Sequence, residues 1–124
     1  MKKIKLSITG SSGRMGRHII NSAKKIKNFK IVSITEKKEL SKKIAGLKPQ
    51  INSEKAFKNA NIIIDFTVPK STLEILKIAN KLKKKVVIGT TGFSKREENQ
   101  IRNYSKKIPI LKAGNMSLGI NLLM

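Results

Sequence analysis

The sequence predicts an α/β fold, a doubly wound parallel sheet in a three-layer αβα arrangement, and three observations carry that prediction. Short apolar runs rich in β-branched residues alternate with stretches of helical spacing. The run NIIIDFT at residues 61–67 is apolar almost throughout, as a parallel strand covered on both faces must be. A glycine loop, GSSGRMG, joins the first apolar run to the first helical stretch.

Residues 4–9 alternate partly and stop at Gly10, which reads as a first strand. The spacing of Met15, Ile19, Ile20, Ala23 and Ile26 predicts a helix over residues 14–25. FKIVSIT at residues 29–35 is β-branched and predicts a second strand ending at Glu36. Lysines, Gly46 and Pro49 over residues 37–50 predict a surface connection with a short helical turn, after which Ser53 stands ready to cap a short helix over residues 53–58. Beyond the strand at 61–67, Pro69 suits the first turn of a helix with apolar positions Leu73, Leu76, Ile78, Ala79 and Leu82. That helix runs to lysines 83–85, whose charge favours a helix C-terminus. VVIG at 86–89 predicts a fourth strand, Ser94 and Glu97 a capping box at the head of a helix over 94–107, and PILKA at 109–113 a fifth strand. Such alternation implies right-handed crossovers, helices on both faces and ligands at the strand C-terminal ends.

At 124 residues the chain fits one domain, and 39% hydrophobic content in blocks is globular rather than disordered. It has no cysteine, which excludes disulfides and thiolate chemistry and suits a reducing, cytoplasmic compartment. The basic start MKKIKLSI is interrupted by Lys5 and Ser7 and is not read as a signal peptide, and no apolar run reaches membrane-spanning length. The net charge of +21 raises the question of nucleic acid. However, only Arg14, Arg17, Arg96 and Arg102 are arginines, the lysines are scattered, and Tyr104 with four phenylalanines offers little for base stacking. The sole histidine, His18, is assigned no role, and no metal set is expected. NMSLGINLLM at the end opens another apolar element and stops inside it, so the chain is expected to be part of a longer protein.

In the glycine loop, Gly10 stands where the backbone turns off the strand, Gly13 where phosphate oxygens would approach the main chain, and Gly16 where helix meets sheet. Amides at the helix start, with Ser11 and Ser12 as further donors and Arg14 as a cation, would favour a pyrophosphate. The spacing is G-x-x-G-x-x-G rather than the commoner G-x-G-x-x-G. Glu36 closes the second strand where an acid reaches the adenosine ribose of a dinucleotide. A free 2′-hydroxyl suits Glu36, while a 2′-phosphate would be repelled by it and attracted by Lys37 and Lys38, so both NADH and NADPH stay open.

Three later stretches fall at strand ends: DFTVP at 65–69, GTTGF at 89–93 and AGNMSLGIN at 113–121. Together with GSSGRMG they resemble, over the whole chain, the cofactor-binding domain of the bacterial 4-hydroxy-tetrahydrodipicolinate (dihydrodipicolinate) reductases of lysine and diaminopimelate biosynthesis. The resemblance implies a Rossmann-type domain in which Gly10, Ser11, Ser12, Gly13, Arg14 and Met15 wrap the pyrophosphate. It puts Glu36 on the adenosine ribose and Lys37 where a cation helps accept a 2′-phosphate. Phe66 and Thr67 would lie along the cofactor, Gly89, Thr90 and Thr91 would reach the nicotinamide and its ribose, and Ala113, Gly114, Asn115 and Met116 would close the nicotinamide pocket. The chain departs from the family pattern in having Met116 where phenylalanine is usual and in a shortened segment after the second strand. The family's proton donor, substrate contacts and tetramer interface belong to a second domain, which is not in this chain. The resemblance therefore implies an NAD(P)H-binding part that does not turn over substrate alone. Two other readings stand beside it: a non-catalytic dinucleotide- or nucleic-acid-binding module, and the first domain of another nicotinamide dehydrogenase, such as an aspartate or homoserine pathway enzyme, against which GTTGF and AGNMSLGIN argue.

Overall fold

Parallel pairing decides the layout. In the computed structural model, which describes residues 3–38 and 40–112, six strands form one sheet in the order β3-β2-β1-β4-β5-β6, and every pairing is parallel. The strands are β1 (Ile4–Thr9), β2 (Phe29–Glu36), β3 (Gln50–Ile51), β4 (Ile62–Asp65), β5 (Lys85–Ile88) and β6 (Ile110–Lys112). Between them lie α1 (Arg14–Lys24), α2 (Glu54–Phe57), α3 (Pro69–Leu82) and α4 (Lys95–Ser105). The chain starts at β1, winds outward through β2 to β3, returns to β4 on the other side of β1 and winds outward again. This is the strand order of the Rossmann fold, and its switch point lies between β1 and β4.

The two helical layers are unequal. Ile19, Ile20 and Ala23 of α1 pack on one face against Leu6, Ile8, Ile34, Ile62, Ile64 and Val87. Ala56 and Phe57 of α2, Ile75, Leu76 and Ala79 of α3 and Ile101 of α4 pack on the other against Ile63, Val86 and Ile88. The three consecutive isoleucines of β4 are thus shared between both cores, which is why that strand has no polar alternation. No described helix is long and apolar enough to cross a membrane.

Several sequence boundaries move. Lys25 is the cap of α1 rather than part of it, and Ile26 follows in a turn whose amide bonds the Ala23 carbonyl. The strand expected at 61–67 pairs only over Ile62–Asp65, because beyond it the backbone leaves the ladder and the Thr67 amide bonds the Thr90 hydroxyl instead. Among the described residues of the 37–50 connection there is no helical turn. Ile44 and Leu47 exchange two backbone hydrogen bonds around Ala45 and Gly46, both at positive φ, and the connection ends in the two-residue strand β3, too short to leave a periodic signal. Met15, expected on the apolar stripe of α1, is 48% exposed.

In α3 the buried face is centred on Ile75, Leu76 and Ala79, with Leu73, Ile78 and Leu82 at its margins. Ile75→Ala is accordingly expected to lower the unfolding free energy by about 3 kcal/mol, and Ile78→Ala by less than about 1.5 kcal/mol, as measured by urea denaturation.

Candidate functional site at the carboxyl edge of the sheet

The loop between β1 and α1 is built by two glycines that the fold itself requires. Gly10 has φ +67, and a Cβ there would lie 3.1 Å from Thr67 Cγ2 and 3.3 Å from the Phe66 carbonyl. A Cβ on Gly16 would lie 2.2 Å from the Gly10 carbonyl oxygen and 2.9 Å from Ser11 Cα, so α1 can seat against the end of β1 only without a side chain at that position. Gly13 differs: its backbone is extended (φ −74, ψ 167), and a Cβ would meet only the Gly10 carbonyl, at an ordinary 3.5 Å. Neither packing nor torsion demands glycine there, and what its bare backbone leaves open is the approach to the N-terminus of α1.

That N-terminus is unlike those of α2 and α4. Ser53 caps α2 by accepting from the Ala56 amide, and Ser94 and Glu97 form a complete capping box on α4. No side-chain cap bond is made at the N-terminus of α1 or α3, and neither helix has an acid in its first turn. The two helix ends nearest the switch point are therefore the ones with neither a side-chain cap nor an acid in the first turn.

A cavity of about 370 Å³ opens beside them, lined by Gly10, Ser12 and Gly13 of the loop, Glu36, Lys37 and Lys38 beyond β2, Leu40 and Asn52, and Phe66, Thr67, Val68 and Ser71. The Ser12 hydroxyl donates to Glu36 Oε2 at 2.6 Å. Asn52 Oδ1 is buried and unpartnered among the described residues. Seven of the expected cofactor residues, Gly10, Ser12, Gly13, Glu36, Lys37, Phe66 and Thr67, thus share one wall system. Ser11 is placed otherwise: it is fully buried, and both its amide and its hydroxyl bond the Thr35 carbonyl at 3.2 Å, so its side chain ties the loop to β2 instead of facing the cavity. Arg14 and Met15 are exposed on the first turn of α1 and are not among the residues lining this cavity.

A second cavity of about 290 Å³ lies beyond the end of β5, lined by Ile88, Thr90, Thr91, Gly92, Phe93, Glu98 and Lys112, with the Lys112 ammonium 5.4 Å from the centre of the Phe93 ring. Thr90 and Thr91 are brought here, and Gly89 stands just before them with its amide on the Asp65 carbonyl at 2.6 Å. Ala113, Gly114, Asn115 and Met116 lie outside the described residues.

Between the two cavities sits Asp65, a residue to which the sequence motifs give no role. The Asp65 carboxylate is fully buried and accepts four hydroxyl bonds. Oδ1 receives Thr9 (2.7 Å) and Thr67 (2.8 Å), and Oδ2 receives Thr72 (2.5 Å) and Thr90 (3.1 Å). The Thr90 hydroxyl in turn accepts the Thr67 amide at 2.8 Å. One side chain thereby ties together the ends of β1, β4 and β5 and the first turn of α3. Three threonines at apolar-run ends (Thr9, Thr67 and Thr90) and one in the first turn of α3 (Thr72), around a lone aspartate, were the available signal, but no spacing rule links them.

The comparisons with known proteins give the family and the fold. A family model described as "Dihydrodipicolinate reductase, N-terminus" matches residues 4–116. The 4-hydroxy-tetrahydrodipicolinate reductase of Pelagibacter ubique is 64% identical over 124 residues, spanning 100% of this chain and 48% of that protein. The protein of the same name from Buchnera aphidicola is 42% identical over 135 residues, spanning 98% of this chain and 49% of that protein. The chain thus spans about half the length of the curated relatives it matches. Among solved structures, a dipicolinate-bound dihydrodipicolinate reductase from Paenisporosarcina sp. TG-14 superposes with a TM-score of 0.75 at 20% identity, over 94% of this chain and 49% of that one. A homoserine dehydrogenase of S. aureus gives 0.70 at 15% identity, over 91% and 33%. At such identities the structural likeness shows the fold alone.

Two substitutions separate the roles of the loop glycines. Gly16→Ala is expected to destabilise the fold by about 3 kcal/mol or more, since the clash is with backbone. Gly13→Ala should cost no more than about 1 kcal/mol in stability while weakening dinucleotide binding about tenfold, as read by thermal melting alongside a fluorescence titration. Asp65→Ala, which strands four buried hydroxyls, is expected to lower the unfolding free energy by about 3 kcal/mol in urea titrations.

Proposed function

The chain belongs to the dihydrodipicolinate reductase family, matching its N-terminal part, and we propose that it is the NADH- or NADPH-binding domain of a 4-hydroxy-tetrahydrodipicolinate reductase. In that reading the whole protein reduces the dihydrodipicolinate precursor to tetrahydrodipicolinate in lysine and diaminopimelate biosynthesis, in the cytoplasm and as a homotetramer. The observation that carries the proposal is the open backbone at Gly13 before an uncapped helix, on the rim of a cavity that also holds Glu36, Lys37 and Lys38.

The residues present fit a nicotinamide dinucleotide. Gly10, Ser12 and Gly13, with the N-terminus of α1, would hold the pyrophosphate, with Arg14 adding a cation at the first turn. Glu36 would accept a ribose hydroxyl, and Lys37 would meet a 2′-phosphate where one is present. Phe66 and Thr67 form the wall along which the adenosine half lies. Gly89, Thr90 and Thr91 would orient the nicotinamide half, held in register by the Asp65 cage, with Ala113, Gly114, Asn115 and Met116 completing that pocket. When bound, the cofactor supplies the hydride. The proton donor and the substrate-orienting groups belong, in this proposal, to the part of the relatives that lies beyond the matched half.

The charge of +21 favours a second reading, a basic module for nucleic acid. Titration with NADH, NADPH and duplex DNA at moderate salt separates the two. The expected outcome is saturable dinucleotide binding, with DNA binding weak and lost as salt rises. Tight, sequence-selective DNA binding with no dinucleotide binding would overturn the proposal. Lys37→Ala is expected to weaken NADPH about fivefold, the contribution of one partly exposed charge contact, with NADH little changed. Equal losses for both would remove Lys37 from its assigned role.

A further inference from the structure

We propose that Ser12 is a positioning residue that governs discrimination between a free 2′-hydroxyl and a 2′-phosphate, by keeping the Glu36 carboxylate from neutralising Lys37 and Lys38. The inference rests on the dinucleotide reading of the same cavity.

Ser12 comes from the loop after β1, and Glu36 is the last residue of β2. They meet on the β1–β2 side of the cavity, where the Ser12 hydroxyl donates to Glu36 Oε2 at 2.6 Å. The next two residues, Lys37 and Lys38, line the same cavity and are exposed, yet among the described residues neither forms an ion pair with Glu36 or any other acid. Among the described residues the acid is thus held by a neutral donor, and the cations beside it have no acidic partner.

The consequence follows from which groups each ribose needs. A free 2′-hydroxyl needs an acceptor, and Ser12 occupies Oε2 of Glu36, while no bond to Oε1 is made among the described residues. A 2′-phosphate needs cations and is repelled by a carboxylate near it. Without the Ser12 hydroxyl, Glu36 loses the side-chain partner it has among the described residues and is released toward the two flexible lysines next to it in the chain, where each ion pair it forms removes a cation from the phosphate. Loss of Ser12 therefore works against the phosphorylated cofactor, while the other keeps its acceptor.

The test measures dissociation constants for NADH and NADPH on the purified protein, with thermal melts confirming that each variant is folded. Ser12→Ala is expected to raise the NADPH-to-NADH ratio of dissociation constants about fivefold, the scale of one partly exposed charge contact. Ser12→Thr, which keeps the hydroxyl, should retain the original ratio. In a Glu36→Gln background the same Ser12→Ala change should leave the ratio unaltered, because no carboxylate remains to be released. An unchanged ratio in Ser12→Ala, or an equal shift in the Glu36→Gln background, would overturn the role of Ser12 and leave the dinucleotide reading standing. Failure of the unsubstituted protein to bind either dinucleotide would overturn both.

Discussion

The carboxyl edge of this sheet is organised around the burial of one carboxylate without a cation. Moving an isolated carboxylate out of water costs several kcal/mol even after relaxation, and no ion pair with Asp65 offsets that cost among the described residues. Four hydroxyl bonds do so instead, each to a charged acceptor and therefore stronger than a neutral pair. The donors come from β1, from the loop after β4, from α3 and from the residue after Gly89. The carboxylate is satisfied only when all of those segments have reached their places. The geometry of the candidate site is thereby a condition of folding, and the two cavities on either side of Asp65 are held in fixed register, as a ligand with two halves requires.

A second constraint sets the depth at which the first helix sits. The Gly16 backbone rests on the Gly10 carbonyl with no room for even one carbon, so the start of α1 is pressed directly onto the turn that leaves β1. Ser11 reinforces this contact by turning its amide and hydroxyl onto the Thr35 carbonyl of β2. The loop is therefore fastened on its inner side, and what it presents outward is Gly13, Ser12 and the uncapped helix end. The opposite solution stands at α4, where Ser94 and Glu97 occupy both the hydroxyl and the carboxylate positions of a capping box and the helix terminus is satisfied internally.

How far this was legible depended on whether the signal was local. The strand at Ile4–Thr9, the caps at Ser53 and Ser94 and the clustering of Glu36 with the glycine loop could be read because each rests on one residue type at a known offset from a turn or terminus. Ile75 escaped because α3 carries five further apolar residues around it, and periodicity alone cannot rank them. The pairing of β3 escaped because two residues have no period. The direction of the Ser11 hydroxyl and the Asp65 cage are tertiary facts. Thr9 and Asp65 are 56 positions apart in the chain, and nothing short of the folded sheet puts their side chains 2.7 Å from each other.

The charge of the chain, which at first obscures its function, also sharpens it. Among 28 lysines and arginines there are only seven acids, so an acid is worth locating wherever it stands. Glu54, Glu97 and Glu98 lie in the first turns of α2 and α4, where a negative charge complements the helix dipole, and Glu54 also pairs with Lys81 at 2.8 Å. Asp65 fastens the sheet edge, and Glu36 stands in the larger cavity, held by a serine. Five of the seven acids therefore occupy places where a lysine would reverse the electrostatics. The first turns of α1 and α3 receive none, although the same dipole argument applies to them. A chain that places acids in the first turns of α2 and α4 and none in that of α1 leaves the end of α1 complementary to an anion from outside, whereas the first turn of α3 is met by the Asp65 carboxylate through Thr72. The scattered lysines add a general attraction for such an anion, screened beyond about 8 Å at physiological salt, while the proposed discrimination between anions rests on the short-range contacts around Ser12 and Glu36.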